Sequence, residues 1–329
     1  MPERVIVTGG AGYIGSHLVH SLISAGKHVT VIDNGSHAPQ ILEQALKSGM
    51  CDLVRGDIRD PANTSEAYRG CTAVFHLASI VGAPACNADR KSASSINVTG
   101  TEVVASLCAK FSIKRFIFAS TCSVYGISSQ LINEASAVNP CDFYAETKVE
   151  AEGILQHYTG SLSVWSLRFG TAFGLSSRMR TDLVVNAMVV DAAGKGVITV
   201  RAPNNWRPFV HCRDIARVCA AAQSWPVPDA SFETTNVGFA QGNLRLLDLA
   251  KAIQQFFPSS RLEVSNFNSD NRSYKVSFAK LERLYGQPPD APLKAGILEM
   301  SNWLGNGTSY GGQLGTFAKP AALKPAVMQ

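Results

Sequence analysis

Short apolar runs alternate along the first half of the chain with longer stretches whose apolar positions return every third or fourth residue. Arg4–Thr8, His28–Asp33, Asp52–Arg55, Ala73–Ala78, Arg115–Ser120 and Ser163–Phe169 are rich in Val, Ile, Leu or Phe and too short for stable helices. Continuous apolar runs of this length mark strands buried on both faces, as in a parallel sheet. Between them, Tyr13–Ala25, Ala93–Lys110 and Phe143–Tyr158 predict helices. The alternation implies right-handed β-α-β crossovers, hence an α/β fold with a doubly wound parallel sheet. It stops near Gly174. Beyond it the pattern predicts a helix over Ser176–Gly196, an extended piece at Trp206–His211 and an edge strand at Thr234–Gly238. A helix at Leu244–Phe257, a strand at Arg261–Val264 and a helix at Phe278–Tyr285 follow. No internal repeat is present.

The composition, 46% hydrophobic and 17% charged over 329 residues, is that of a globular protein with a substantial core. No apolar run approaches the roughly 18 residues of a membrane span. A strand begins by Arg4, with no leader before it, so a cytoplasmic protein is expected. The net charge is +5 and no Lys/Arg block occurs, which argues against nucleic acid. Eight cysteines show neither a Cys-x-x-Cys pair nor a His at metal spacing. Small buried hydrophobes are expected rather than a disulfide framework or a metal site.

Gly10, Gly12 and Gly15 satisfy G-x-G-x-x-G between the first strand and the first helix, within Thr8-Gly9-Gly10-Ala11-Gly12-Tyr13-Ile14-Gly15. Glycines there let the backbone approach a pyrophosphate, and the helix start supplies amide donors. This is the Rossmann arrangement. Asp33 ends the second strand 18 residues after Gly15, where a carboxylate holds the adenosine ribose hydroxyls and repels the extra phosphate of NADP. NAD is therefore the expected cofactor. Asn34, then Asp57-Ile58, Leu77-Ala78 and Asn97 lie at or beyond the following strand ends, where such sheets bind ligands. Residues 1–172 and 207–240 are assigned to the dinucleotide-binding domain, and 173–206 and 241–304 to a smaller interleaved substrate domain. Residues 305–329, rich in Gly, Ala, Pro and Ser, are expected to form a loose tail.

Tyr144 and Lys148 share one helix face by their spacing of four. An ammonium beside a phenol favours the phenolate, so Tyr144 is expected to have a lowered pKa and to act as a base. Thr121, at the end of the fifth strand, offers a hydroxyl to the same substrate oxygen.

Thr-Gly-Gly-Ala-Gly-Tyr-Ile-Gly, His76-Leu-Ala, Asn97-Val-x-Gly-Thr, Ser120-Thr-x-x-Val-Tyr-Gly and Tyr144-x-x-x-Lys occur here in the order seen in extended short-chain dehydrogenases/reductases. From residue 4 to about 285 the chain resembles their nucleotide-sugar epimerases and dehydratases, of which UDP-galactose 4-epimerase is the familiar member. Arg168–Asn186 and Val81–Cys86 resemble a subgroup that includes nucleotide-heptose C4 dehydrogenases. The resemblance implies that Thr121, Tyr144 and Lys148 are catalytic and that Tyr144 and Lys148 also touch NAD. It further implies that Asn186, Arg207 and Arg272 bind the substrate diphosphate, that a nucleoside-diphosphate sugar is the substrate, and that the chain forms a homodimer. Where the 4,6-dehydratases carry Asp-Glu after the Thr, this chain has Cys122-Ser123, which argues against water loss. Cys122 is a candidate acid or base, but packing is the expected role. The cysteine of the 3,5-epimerases aligns at Ser123. His211 is expected to be structural. The net reaction expected is C4 epimerisation through a transient keto-sugar. A 4-dehydrogenase or 4-ketoreductase with net NAD(H) turnover is the alternative, and a non-catalytic dinucleotide sensor a remote one.

Overall fold

A computed structural model describes residues 2–35, 42–226, 231–265 and 272–305. Seven parallel strands form the main sheet: β1 (Arg4–Thr8), β2 (His28–Asp33), β3 (Cys51–Arg55), β4 (Ala73–His76), β5 (Arg115–Thr121), β7 (Ser163–Phe169) and β11 (Phe232–Val237). Their order is β11-β7-β5-β4-β1-β2-β3. Val5, Ile6 and Val7 on β1 are all fully buried, as a strand covered on both faces requires. One face packs against the helices Gly15–Ser24 and Cys212–Ala222, with Leu18, Val19, Leu22, Ile215 and Val218 in one cluster with Val5 and Val7. The other face, carrying Ile6, Val74 and Phe116, meets Val104, Leu107, Ala151 and Leu155 from helices Gly100–Lys110 and Phe143–His157. The strand order reverses between β1 and β4, and ligands of such sheets bind at that crevice.

Three small sheets stand outside the main one. β8 (Thr171–Phe173) and β10 (Trp206–His211) pair in parallel, and β12 (Asn243–Arg245) joins β10 antiparallel. β9 (Val197–Arg201) pairs with β13 (Arg261–Ser265), and β6 (Ile127–Ile132) with β14 (Ser273–Val276). A second core of Phe173, Val185, Val189, Leu249, Ile253, Ile297 and Trp303 packs against the first two, while Ile132, Tyr274 and Val276 of the third join Val124 and Tyr125. β10 thus belongs to a small sheet, whereas the helix after it packs on the main one.

Several boundaries differ from the pattern. Only Val184–Lys195 of the expected Ser176–Gly196 helix is helical. Ser176 spends its hydroxyl on the Tyr13 carbonyl, a tertiary bond that holds the preceding segment open. The expected Ala93–Lys110 helix contains a π-helical stretch at Ser95–Thr99 that swings Asn97 into the interior. Leu244 belongs to β12, and the following helix is Leu246–Gln254. Residues 306–329 of the expected tail lie outside the described residues, and Gly305 ends the helix Leu293–Gly305. All eight cysteines are free, seven of them buried. Among the described residues, no helix is long and apolar enough to cross a membrane.

Candidate active site

A cavity of about 880 Å³ opens at the strand-order reversal. Its cofactor end is built from backbone. Gly9 has φ of 71°, and a Cβ there would lie 2.8 Å from the Ala78 nitrogen. A Cβ on Gly15 would run into the Gly9 carbonyl. These two positions let the turn and the helix start close against the sheet. Asp33 sits at the mouth of this turn, its carboxylate accepting from the Ala11 amide at 3.1 Å and the Gly35 amide at 3.0 Å. Gly9, Gly12, Tyr13, Ile14, Gly15, Asp33, Asn34, Asp57, Ile58, Leu77 and Ala78 all line the cavity. The Asp57 carboxylate is engaged by Arg59, at 2.9 and 2.5 Å, which lowers its pKa.

Behind this wall, burial pulls the His76 imidazole down to about 3 and keeps it neutral. Thr101 donates to the Asn97 carbonyl, so it accepts from His76 Nε2 at 3.0 Å, and Nδ1 accepts from Thr8 at 2.7 Å. Thr8 in turn accepts from the Ala78 amide at 3.3 Å. Asn97 does not line the cavity. Its amide grips Ile80 N and O at 2.8 and 3.0 Å and Thr147 at 3.1 Å, fastening the 79–85 wall to the helix Phe143–His157.

At the chemical end, Thr121, Tyr144 and Lys148 converge on the same cavity from the end of β5 and the helix Phe143–His157. Asp142 caps that helix, accepting from the Ala145 amide at 2.9 Å, which fixes where Tyr144 points. Lys148 donates to the Ala119 carbonyl at 2.9 Å, and its ammonium lies 5.9 Å from the Tyr144 ring centroid. The expected lowering of the tyrosine pKa is not what this arrangement produces. Burial dominates and pushes the phenol well above its ordinary value, Cys86 and Asp142 add to the rise, and Arg180 and Arg272 oppose it. Burial also pulls the Lys148 ammonium down, to about 8. Thr121 accepts from the Ser123 amide at 3.1 Å, a bond that uses a lone pair and leaves its hydroxyl hydrogen for donation.

Arg207 and Arg272 also line the cavity. They are joined through a hydrogen bond from Arg207 Nη1 to the Arg272 carbonyl. Arg272 reaches the Ser123 hydroxyl at 3.0 Å and lies 3.4 Å from the Asp142 carboxylate. Asn186 does not line the cavity and is fully buried. The sequence reading did not single out Arg178 and Arg180 as site residues, yet both face the cavity, as do Ser123 and Tyr274. Arg180 is held as a fork on Asp182 at 2.7 and 2.5 Å. Two arginines flanking one methionine, just after the regular alternation stops near Gly174, were the available signal.

Cys122 is fully buried, outside the cavity lining, with its thiol on the Arg168 carbonyl at 3.1 Å and pushed strongly upward by burial. It packs with Val124, Tyr125 and Tyr274. His211 is buried against Phe173, ring centroids 5.2 Å apart, and 3.3 Å from Glu299. Beneath Thr121 lies a closed polar network. Arg168 and Glu152 pair at 2.6 Å, and Glu152 accepts from Ser120 and Ser166 at 2.7 Å each. Arg168 reaches Tyr125 at 3.0 Å, and Tyr125 donates to Asn236 at 2.7 Å. Burial works against the Arg168 charge, but Glu152 outweighs it. Such a satisfied network fixes the end of β5 in one position.

A glycine-lined dinucleotide crevice at the strand reversal, with a Tyr–Lys pair and a threonine at its far end, defines an oxidoreductase-type site of a doubly wound α/β protein. The chain belongs to the NAD dependent epimerase/dehydratase family, whose model matches residues 5–238, and NAD is the cofactor that the family's name assigns. It is 29% identical over 233 residues to an Arabidopsis thaliana 3beta-hydroxysteroid-dehydrogenase/decarboxylase isoform 2, covering 65% of this chain and 40% of that relative's length. It is 32% identical over 245 residues to a UDP-glucose 4-epimerase of Dictyostelium discoideum, covering 65% and 70% respectively. The solved structure of the dTDP-glucose 4,6-dehydratase DesIV from Streptomyces venezuelae, with NAD and TYD bound, superposes with a TM-score of 0.80. Its sequence identity is 25%, and 91% of this chain and 96% of that one are covered.

Proposed function

We propose that this chain is a NAD-dependent oxidoreductase acting on a nucleoside-diphosphate sugar, and that its net reaction is C4 epimerisation. The observation that carries the reading is the convergence of Thr121, Tyr144 and Lys148 on one cavity with the glycine turn at one end and Arg207 and Arg272 on its wall. Gly9, Gly12 and Gly15 leave room for a pyrophosphate against backbone amides, and Asp33 offers its carboxylate to ribose hydroxyls. Bound NAD would supply the oxidant, accepting and returning the hydrogen of the reacting carbon with its two electrons.

The chain's own residues do the rest. Thr121 donates to the reacting hydroxyl oxygen. Tyr144 accepts that hydroxyl's proton as the carbonyl forms and gives it back when the carbonyl is reduced, so the sugar must meet it as phenolate. Lys148, Arg180 and Arg272 each favour the phenolate, against the burial that opposes it. Arg207 and Arg272 suit a diphosphate through permanently charged, multidentate donors. Cys122-Ser123 in place of the acidic pair of the 4,6-dehydratases supports epimerisation over water loss.

The test is incubation of the purified protein with a panel of nucleotide sugars deuterated at C4, first without and then with added NAD. Two epimers in exchange, with deuterium kept at C4, is the expected result. NADH accumulating in step with a released keto-sugar would overturn the epimerase reading in favour of a dehydrogenase. No change in any sugar of the panel would remove the substrate class.

A further inference from the structure

Asn186 sits deep beside the cavity with its amide fully engaged. Its Nδ2 donates to the Tyr13 hydroxyl at 3.1 Å and to the Arg180 carbonyl at 2.8 Å, which uses both hydrogens. Its Oδ1 accepts from the Gly174 amide at 3.0 Å. No donor remains for a phosphate. Tyr13 meanwhile belongs to the glycine turn, and its hydroxyl donates to the Gly174 carbonyl at 2.6 Å. A second path leaves the same residue through its backbone. Ser176 donates to the Tyr13 carbonyl at 2.7 Å and accepts from the Arg178 amide at 3.4 Å.

We propose that Tyr13, acting through Asn186 and Ser176, couples occupancy of the dinucleotide turn to the placement of Arg178 and Arg180, and that Asn186 is a positioning residue rather than a phosphate ligand. The inference rests on the cofactor reading above. Three observations carry it. The segment from Gly174 to Leu183 contains no helix or strand, so side-chain bonds such as these set its course. Tyr13, Ser176 and Asn186 are 7%, 1% and 0% exposed, so water does not compete for those bonds. The two arginines serve different ends of the cavity: Arg178 lies in the field of Asp33, and Arg180 in that of Tyr144. Ordering the glycine turn around a dinucleotide therefore fixes the Tyr13 backbone and hydroxyl together. The segment carrying both guanidinium groups inherits that order. Coupling of this kind needs a contiguous set of contacts between two sites, which the two paths supply.

A bond that merely glues two segments together would act equally with or without the dinucleotide, and amide hydrogen exchange separates the two cases. Dinucleotide-stripped wild type, Tyr13→Phe and Ser176→Ala are compared with and without saturating NAD. Tyr13→Phe keeps the ring and removes both hydroxyl bonds. Ser176→Ala cuts the second path and serves should the first variant not fold. NAD is expected to slow exchange over residues 9–16 in all three proteins. Over residues 174–186 it should slow exchange at least about fivefold in the wild type and less than about twofold in the variants. Equal protection of 174–186 in all three proteins would overturn the coupling, as would protection of 9–16 alone in the wild type. No protection of 9–16 in the wild type would instead defeat the cofactor reading, and the coupling with it.

Discussion

Replacing Lys148 with methionine should abolish turnover and yet stabilise the fold near neutral pH. Lys148 is 3% exposed, and burial lowers its ammonium from 10.5 to about 8, with Cys86 and Glu152 opposing that fall. At about 1.36 kcal/mol per tenfold, keeping it charged at pH 7 costs the folded state about 3 kcal/mol. Methionine fills similar volume without charge but forfeits the bond to the Ala119 carbonyl, which offsets about 1–2 kcal/mol of the gain. A net stabilisation of about 1–2 kcal/mol corresponds to a rise of about 1.5–3 °C in the unfolding midpoint of a chain of this length. The pH dependence identifies the cause. Between about 8 and 10.5 the unfolded lysine holds its proton and the folded one does not. The unfolded chain then binds more protons, so wild-type stability rises with pH across that window. The advantage of the variant is thus full below pH 8, passes through zero at about pH 9–10 and is reversed by about 10.5. Thermal midpoints of the dinucleotide-free proteins at pH 7 and pH 10 measure it. A variant that melts below the wild type at pH 7, or a gap of equal size at both pH values, would refute the reasoning.

Two further outcomes test other parts of the site. Asp33→Ala should weaken NAD about 10–100-fold and NADP less, because the carboxylate both binds ribose hydroxyls and repels a 2′-phosphate. Titration with both dinucleotides checks this, and equal losses would remove the selectivity assigned to Asp33. Tyr144→Phe should cut turnover by about 10²–10⁴ with substrate affinity little changed, since the cationic side chains lie elsewhere. Near-normal turnover under single-turnover conditions would move the acid/base role to another residue.

The cofactor end was readable because it is a local device. Strand, glycine turn, helix and the carboxylate at Asp33 all fall within one crossover, and each strand has a continuous apolar run to announce it. The small sheets were not readable in this way. β8 is three residues long, and β6 carries Ile127 and Leu131 largely exposed, so neither shows the buried pattern of a strand. Likewise, nothing in the local sequence separates an asparagine that binds phosphate from one whose amide is consumed by Tyr13 and Arg180. The Tyr13 bond spans 173 positions, and no local pattern announces it. The tyrosine was predicted by its spacing from Lys148, but spacing carries no information on burial, and burial reversed the direction of its pKa.

The two ends of the cavity are consequently held to different physical demands. At the glycine turn, function and stability ask for the same thing: close backbone approach is what both the fold and a pyrophosphate need, so a side chain at Gly15 harms both. At the chemical end they diverge. The Tyr144 phenol and the Lys148 ammonium are buried together, and burial raises the pKa of the first and lowers that of the second. Arg180 and Arg272, which ease the phenol's ionisation, come from segments far from Tyr144 in sequence and are themselves tied to Asp182 and Asp142. Substitutions that remove the buried charge at Lys148 should therefore raise stability as they lower turnover, the trade-off expected where a site holds buried charge for its chemistry. No such exchange is available at Gly9, whose φ of 71° and contact with Ala78 leave a side chain nothing to gain.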